Sequence, residues 1–421
     1  MHTAKFQPMK ALGMNQTMRQ SWWLAVVLWA TVGVVQGADW TQFRGPTAQG
    51  HSTETNLPTH WSETDNITWK VPLPGRGWSS PVLEGSEIWL TTATEEDRSL
   101  RIMCLARDTG EVKHDIELFK LEAASKIHSK NTPSSPTPII DGEFVYAHFG
   151  KLGTACLKRT GEIVWRNNKM EFNHRHGPGG SPVLYQDLLI FNCDGSDVQF
   201  IVALDKKTGE QRWRAERDGK MAFSTPLLIQ VDGKDQLVST CGEWVYAYEP
   251  ASGKELWKSR YPAGYSNVPR PVFGLGLVYV CSGYNTPNLY AIRPDGQGDV
   301  TETHVAWKIE KGAPLNPSPL LVDDRLYMVS DQGILTCLNA LTGDELWRQR
   351  LGGNYSASLV YAGGNIYAQS ETGTTTVFQR GDTYKEVSVN QLEGRTLATL
   401  SPSKGSIFLR TDKYLYRIQN K

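Results

Sequence analysis

Two polar segments of this chain combine histidine with lysine or asparagine just before an apolar run. His128, Lys130 and Asn131 lie in the segment KIHSKNTPSSP, and His174 and His176 lie in the segment EFNHRHGPGGSP. Neutral imidazoles suit transition metals, whereas lysine and arginine suit carboxylate or phosphate groups. These residue types indicate an anion or metal pocket. The alternative is that the histidines are simply solvated in polar loops.

The metal interpretation lacks a third ligand. The H-x-H spacing of His174 and His176 supplies two imidazoles, and Asp194 or Asp197 could add a carboxylate only if the fold brings it close. The chain has no C-x-x-C, no calcium-loop pattern, no H-E-x-x-H and no G-x-S-x-G. We therefore predict no metal site and no catalytic residues.

The elements that must position these residues are repeated. An apolar run leads into a polar turn with glycine, and most of these turns are followed by a tryptophan strand, as in ALDKKTGEQRW and ALTGDELW. Successive tryptophans lie 40 to 50 residues apart, a period typical of repeat architectures. The repeat residues are Gly110, Gly161, Gly209, Gly253 and Gly343, with Trp69, Trp165, Trp213, Trp257, Trp307 and Trp347.

Each turn has a second anchor upstream, a small residue and a proline followed by two short apolar runs. The segments SPTPIIDGEFVYAHFG and SPLLVDDRLYMVSD are clear copies, with hairpin signals between the runs. Four antiparallel strands per unit form one propeller blade. Eight copies of the unit predict an all-β, eight-bladed β-propeller.

The last unit has only three strands, and the missing strand occurs near the start of the chain. We expect the segment NITWKVPLP, which contains Trp69, to complete the final blade and close the ring. Closure would remove the unpaired edges of the first and last blades. The predicted boundaries are a signal peptide at 1–37, an N-terminal extension at 38–65 and the propeller at 66–421.

This geometry places the polar segments at the mouth of the central channel, where loops enter the innermost strands. His128 and His176 precede adjacent blades and are expected to face the same channel end. Arg270 occupies a position where other units have serine or threonine, and it joins the candidate ligand-binding residues.

A second candidate set follows the second strands of blades six, seven and eight. It consists of Asp331, Glu371 and Arg410, which could form a ring in which the two carboxylates pair with the arginine. The alternative is a hydrogen-bond network that holds adjacent blades together.

The start of the chain has the three parts of a secretory signal. Lys10 and Arg19 precede the apolar run SWWLAVVLWATVGVV, and cleavage is expected between Gly37 and Ala38. An uncleaved anchor is the alternative; after cleavage no stable membrane span is expected. The predicted localisation is periplasmic or secreted.

The charge balance argues against a nucleic-acid-binding protein, and the positions of the cysteines argue against disulfides. Basic and acidic residues balance at 44 each, so no basic field recommends a nucleic-acid partner. Cys104, Cys156 and Cys337 occupy a repeat position that holds alanine in other units, as a small buried hydrophobe would. We therefore expect the six cysteines to be free, buried thiols rather than disulfides.

The segment ALDKKTGEQRW resembles the pyrroloquinoline-quinone (PQQ) repeat, whose turn runs roughly A-x-D-x-x-T-G-x-x-x-W. The resemblance covers residues 40–421 and is to exported bacterial propellers. It implies that the tryptophan packs between blades and that the T-G turn fixes the outer hairpin. The family includes an outer-membrane assembly lipoprotein and quinoprotein dehydrogenases. The dehydrogenases have adjacent cysteines, a Ca²⁺ site and a catalytic aspartate, and this chain has no Cys-Cys pair.

The sequence therefore predicts an exported, non-catalytic propeller that serves as a binding or scaffold module. Its partner would be an envelope or extracellular protein, a glycan or a small molecule, and no cofactor is expected. The alternative is an alcohol or sugar dehydrogenase that depends on PQQ and calcium.

Overall fold

The repeat units of the sequence form eight sheets built on four antiparallel strands each, and one of these sheets carries a fifth strand. The computed structural model describes residues 39–421, and the predicted signal segment, 1–37, lies outside them. All regular structure of the described residues is β-strand, so no helix among them could cross a membrane. The prediction of an all-β, eight-bladed propeller is confirmed.

The strands are named in chain order. The strand β1 (Ile67–Pro72) precedes the first blade. Blades one and two consist of β2 (Val82–Glu84), β3 (Glu87–Thr94), β4 (Ser99–Ala106), β5 (Val112–Lys120), β6 (Ile139–Asp141), β7 (Phe144–His148), β8 (Thr154–Lys158) and β9 (Ile163–Asn167). Blades three and four consist of β10 (Val183–Tyr185), β11 (Leu188–Asp194), β12 (Gln199–Asp205), β13 (Gln211–Glu216), β14 (Leu227–Val231), β15 (Lys234–Cys241), β16 (Trp244–Tyr248) and β17 (Glu255–Arg260).

The second half of the chain repeats the same order. Blades five and six contain β18 (Val272–Gly274), β19 (Leu277–Cys281), β20 (Leu289–Ile292), β22 (Val305–Ile309), β23 (Leu320–Val322), β24 (Arg325–Val329), β25 (Ile334–Asn339) and β26 (Glu345–Arg350). The short strand β21 (Gly298–Asp299) lies between β20 and β22 in the chain but belongs to the sheet of blade four. Blades seven and eight contain β27 (Val360–Ala362), β28 (Asn365–Gln369), β29 (Thr374–Gln379), β30 (Lys385–Gln391), β31 (Ser401–Ser403), β32 (Ser406–Arg410) and β33 (Tyr414–Gln419).

The burial pattern explains why the middle strands are apolar runs and the outer strands alternate. Strand β3 is buried at every position from 88 to 93, since neighbouring blades cover both of its faces. The outer strand β22 instead alternates between half-buried and exposed residues. A strand's place in its blade can thus be read from its hydrophobic pattern.

The two ends of the described chain meet in blade eight. Strand β1 pairs antiparallel with β33, from Ile67 opposite Ile418 to Pro72 opposite Tyr414. The sheet order is β1-β33-β32-β31. The predicted ring closure by the N-terminal strand is confirmed, and it leaves no open blade edge at the junction.

The tryptophan of one blade packs against the turn glycine of the next. The Trp165 indole nitrogen donates to the carbonyl of Lys206 at 3.1 Å, and its ring lies over Gly209, where an added Cβ would be 2.5 Å away. Gly209 has φ +73°, a left-handed conformation that glycine adopts without strain. The same contact joins Trp69 to Gly110, Trp213 to Gly253 and Trp307 to Gly343, and His114 takes the tryptophan's place against Gly161.

Blade five departs from this pattern because its turn carries an insertion. The inserted strand β21 adds a fifth, parallel strand to the sheet of blade four, alongside β17. Trp257, which lies in β17, is completely buried and donates to Gln236 Oε1 of its own blade at 2.8 Å. The insertion therefore replaces the turn glycine as the cover of this tryptophan. All six cysteines of the chain are free and buried, as predicted.

Candidate functional site

The loops that lead into the innermost strands enclose a cavity of about 490 Å³, to which all eight blades contribute. Loops that join successive blades and loops that follow second strands surround its mouth. Aromatic side chains form part of the wall, and they are Phe43, Trp78, Phe223, Tyr265 and Tyr284.

A ring of hydroxyl groups forms the inner wall of this cavity. In seven blades the residue two positions before the first strand is serine or threonine, and six of these hydroxyls accept a backbone N–H from the preceding blade. The Ser181 N–H donates to Thr225 Oγ1 at 2.9 Å, and the Ser318 N–H donates to Ser358 Oγ at 3.0 Å. We call this set the hydroxyl ring, and its members are Ser80, Thr137, Ser181, Thr225, Ser318, Ser358 and Thr399.

In blade five, Arg270 stands where the other seven blades have serine or threonine, but its side chain does not line the cavity. The guanidinium donates to the carbonyls of Pro226 and Phe43, at 2.7 and 2.9 Å, and the residue is only 2% exposed. Burial, and secondly the charge of Arg44, lower its pKa to about 9. The prediction that Arg270 faces the mouth is wrong, because two carbonyl oxygens hold its guanidinium behind the wall.

One end of the cavity is formed by the segment before β1. Phe43 lines the cavity, while the carbonyl of Trp40 accepts from Leu83 and the Oε2 of Glu54 accepts from Gly405. This segment runs along the first-to-second-strand turns, opposite the loops of the mouth. We call the end next to Phe43 the closed end. The side chain of Arg44, the next residue, is completely buried there and donates to the Pro319 carbonyl at 2.7 Å.

His128 and His176 meet at the mouth, as their positions before adjacent blades predict. Their rings lie edge to face with centroids 5.7 Å apart, and both line the cavity. Asn131 fixes the two loops, since its Nδ2 donates to the carbonyls of His176 and Pro178, each at 2.9 Å. Partial burial, followed by the charges of His128 and Arg175, lowers the pKa of His176.

Lys130 reaches from this wall to the loop of blade seven. Its Nζ lies 2.8 Å from Glu371 Oε1, a carboxylate that also accepts from Ser356 Oγ at 2.6 Å. Burial alone would raise the pKa of Glu371, but the hydrogen bonds from Lys130 and Ser356 outweigh it and lower that pKa. The Glu371 side chain does not line the cavity, whereas Lys130 does.

Two tyrosines form another part of the mouth. The rings of Tyr265 and Tyr284 lie edge to face with centroids 5.5 Å apart, and their backbones pair through an isolated antiparallel bridge. Tyr284 is 55% exposed. An exposed aromatic face at the mouth of a cavity is suited to stacking against a ligand.

His174 does not join His128 and His176, so its placement at the mouth is a wrong prediction. The Gly177 N–H donates to the His174 carbonyl at 2.5 Å, and this tight turn sends the two histidine rings to different places. His174 is buried beside Phe172 and lines a separate small cavity with His148. Burial, then the charge of Lys151, lowers the pKa of His174 to about 4.

Neither Asp194 nor Asp197, the two candidates for a third metal ligand, is free to join the histidines. Asp194 is buried in an ion pair with Arg217, and Asp197 Oδ1 accepts from the N–H groups of Asn173 and Val198. Within residues 39–421 no group of three or more His, Cys, Asp or Glu side chains could hold a metal ion. His128 and His176 therefore lie together without a third His, Cys, Asp or Glu of the described residues that could complete a metal site.

The predicted pairing of Asp331 and Glu371 with Arg410 is wrong, because each has nearer partners. Asp331 Oδ2 accepts from the Leu315 N–H at 2.7 Å, and Glu371 pairs with Lys130. Arg410 is 2% exposed and donates to backbone carbonyls of the next blade, among them Thr91 at 2.9 Å. Burial lowers its pKa to about 9. Arg410 thus links blades eight and one, which is the alternative that the sequence also allowed.

Sequence reasoning missed most of the aromatic wall and the hydroxyl ring. The hydroxyl ring had a signal, since the serine or threonine of each blade entrance recurs with the repeat. Trp78 and Phe223 lie in the same entrances without a repeated pattern. Phe43 had no such signal, because it comes from the extension and reaches the cavity through tertiary contacts.

The calcium site of the dehydrogenases does not fit this cavity. Calcium takes about six to eight oxygen ligands, with carboxylates prominent among them. The described lining contains no aspartate or glutamate, and the nearby Glu371 carboxylate is held by Lys130 and Ser356. No adjacent cysteine pair exists in the sequence.

The fold and the site define a closed, eight-bladed β-propeller whose central cavity is lined by aromatic side chains and hydroxyl groups. A family model described as outer membrane protein assembly factor BamB matches residues 51–177, 154–305 and 297–407. The chain belongs to this family of PQQ-like repeat propellers, as its resemblance implied.

Solved structures agree on the fold. The crystal structure of BamB from Moraxella catarrhalis has a TM-score of 0.60 at 13% identity and covers 84% of this chain and 99% of that chain. The computationally designed Ika8 protein has a TM-score of 0.57 at 13% identity, with coverage of 82% and 98%. Such low identity shows the fold alone. No curated protein matches the sequence.

Proposed function

We propose that this protein is an exported, non-catalytic binding propeller whose central cavity receives a ligand. The ligand would be a small molecule, or a group presented by a protein or glycan of the cell envelope. The observation that carries the proposal is the cavity of about 490 Å³, which one segment of the chain closes at one end. Its volume lies in the range of about 300–1,000 Å³ that is typical of ligand sites.

The chemistry of the lining favours binding over catalysis. Acid–base or nucleophilic catalysis needs a reactive group within hydrogen-bond reach of its base. Among the described residues, His128 Nδ1 accepts only the backbone N–H of Lys130, and six hydroxyls of the hydroxyl ring are used as acceptors by the backbone. These groups are held as parts of the wall.

Family membership supports a location in the envelope. The family model's description names an outer membrane protein assembly factor. The basic and apolar leader in the sequence supports export to the periplasm or the exterior. A rigid ring with a recessed pocket would be suited to hold one end of an envelope partner.

The test is a thermal-shift panel of neutral sugars, acidic sugars and short peptides on the purified protein. A ligand that binds only the folded state raises the midpoint temperature. The control is Leu397→Trp, since Leu397 is a half-buried residue of the cavity wall and a larger side chain there narrows the cavity. Stabilisation of the wild type but not of Leu397→Trp would support the proposal.

The same assay can overturn it. If no compound stabilises the protein, or if Leu397→Trp responds as the wild type does, the cavity is not the binding site. A further arm adds PQQ with and without Ca²⁺, followed by a dye-linked alcohol oxidation assay. Calcium-dependent binding with turnover would contradict the non-catalytic function.

A further inference from the structure

The closed end of the cavity carries positive charge that no carboxylate compensates. Arg270 donates to the carbonyl of Phe43, and its backbone N–H donates to Ser318 Oγ, and both of these residues line the cavity. Arg44 donates to the carbonyl of Pro319, and its Nε and Nη1 have no hydrogen-bond partner among the described residues. Neither arginine forms an ion pair within residues 39–421. Both guanidiniums remain protonated at neutral pH, so they create a positive potential behind the wall.

The hydroxyl ring adds donors to the same region. Six of its hydroxyls each accept one backbone N–H, and none of the six donates a hydrogen bond to another described residue. A hydroxyl has one proton to donate in addition to its lone pairs. These side chains are at most 5% exposed, and they line the cavity. Their protons are therefore available to acceptor atoms of a ligand.

The mouth also carries donors and a cation. Lys130, His128 and His176 line it, and the described lining contains no aspartate or glutamate, although Glu371 pairs with Lys130 from behind the lining. An apolar ligand would leave the hydroxyl donors unpaired, which is costly in a buried site. A small inorganic anion would leave most of the volume unused and make no use of Trp78 or Tyr284. The wall instead combines aromatic faces, which pack on the C–H face of a ring, with donors for oxygen atoms.

We propose that the cavity binds an anionic saccharide, a sugar ring that carries a carboxylate or a sulfate group. This inference rests on the proposed function and names its ligand class. The sugar oxygens accept from the hydroxyl ring, the aromatic side chains pack on the sugar ring, and the positive potential of Arg44, Arg270 and Lys130 selects the negative charge.

The first experiment is calorimetric titration of the purified protein with three sugars at equal ionic strength. Glucuronate and glucose 6-sulfate carry the two kinds of anion, and glucose is the neutral match. We expect both anions to bind, and glucose to bind at least about tenfold more weakly. Equal binding of glucose would overturn the inference and leave the proposed function standing. Binding of none of the three sugars would overturn it as well, while the broader panel decides the proposed function.

Two variants of the ion pair at the mouth give a second readout. Lys130→Gln removes a cation of the lining, so we expect glucuronate affinity to fall about tenfold. Glu371→Gln frees Lys130 from its carboxylate, so we expect glucuronate affinity to rise by a similar factor. Neither change should alter glucose binding. The control is Lys254→Gln, because Lys254 is exposed in an outer turn of blade four and does not line the cavity.

A structural effect would look different from an electrostatic one. If Lys130→Gln and Glu371→Gln shift the affinities for glucose and glucuronate together, they act on the shape of the mouth and the charge selection is wrong. If Lys254→Gln weakens glucuronate as much as Lys130→Gln does, the attraction is to the whole surface and the cavity assignment fails.

Discussion

At the scale of single residues, the contact between a tryptophan and a glycine joins one blade to the next. The Trp213 indole donates to the Pro250 carbonyl at 3.1 Å, and its ring covers Gly253. Glycine is required there for two separate reasons, a left-handed φ and the absence of a Cβ beneath the ring. Two glycines of this chain allow the two reasons to be separated.

The change Gly209→Ala should destabilise the protein more than Gly233→Ala. Both glycines have nearly the same left-handed conformation, with φ +73° and +74°, so both variants lose about 1 kcal/mol to backbone strain. A Cβ at Gly209 would lie 2.5 Å from Trp165, whereas nothing lies within 4 Å of one at Gly233. Displacing the indole should cost a further ~1–3 kcal/mol. Urea unfolding followed by circular dichroism measures the free energy of unfolding of both variants. Equal losses of stability would show that the Trp165 ring can move aside without an energetic cost.

Two buried histidines make stability depend on pH. Burial, and secondly the charge of His174, lowers the pKa of His148 to about 3, and the pKa of His174 is lowered to about 4. The unfolded chain has histidine pKa values near 6.5 and so binds protons first as the pH falls. The stability that these neutral rings contribute is complete above about pH 6.5. It is lost as the pH falls, toward about pH 4 for His174 and toward about pH 3 for His148.

His174→Leu should flatten this pH dependence. Between pH 7 and pH 5 the wild type should lose on the order of 2 kcal/mol through His174 alone, because its folded pKa lies below both values. The variant keeps a buried apolar side chain of similar size and has no proton to bind. Unfolding free energies at the two pH values test this, and a variant that loses as much stability as the wild type would place the pH sensitivity elsewhere.

At the scale of elements, the entrances to six of the blades have two functions. The residue two positions before the first strand supplies a hydroxyl to the cavity, and six of these hydroxyls also bind the backbone of the preceding blade, as Thr137 binds the Ser80 N–H at 3.0 Å. A substitution at one of these six hydroxyl residues that alters ligand contacts would therefore also remove a hydrogen bond between two adjacent blades. Specificity is freer to change in the loops of the mouth, where Tyr284 and Lys130 lie.

The sequence predicts the elements well because they are repeated. The eight blades, the closing strand with Trp69 and the meeting of His128 with His176 follow from the period and from the place of each loop. The direction of a single side chain does not follow. His174 and His176 are separated by one residue, and a single tight turn at Gly177 sends their rings to different cavities.

Long-range contacts set the other limit. Arg270 looks like a ligand residue in the sequence because it interrupts the series of serines and threonines. Its partner is the carbonyl of Phe43, which is 227 residues away in the chain, and no local pattern predicts that contact. The closed end of the cavity could therefore be found only in the structure.

At the scale of the whole molecule, the N-terminal part of the described chain ties the ring together. The segment before β1 contacts several blades, through Gln49 to Phe273, through Gly50 to Tyr361 and through Glu54 to Gly405. Strand β1 then completes blade eight. Both contacts join distant parts of the sequence, so forming them adds loop-closure entropy to the cost of folding.

Replacing Trp69 should therefore speed unfolding more than replacing Trp213. The two variants lose equivalent local contacts. Each indole donates to a carbonyl of the next blade, at 3.0 Å for Trp69 and 3.1 Å for Trp213, and covers a turn glycine. The strands differ in attachment, since β13 follows β12 through a tight turn, whereas no turn connects β1 to its partner strand β33 in blade eight. Once β1 detaches, the ring is open and the neighbouring blades lose their cover.

We expect Trp69→Ala to unfold at least about tenfold faster than Trp213→Ala after a jump into denaturant. Equal unfolding rates would mean that the ring opens at no preferred blade and that the closing strand is no weaker than the others.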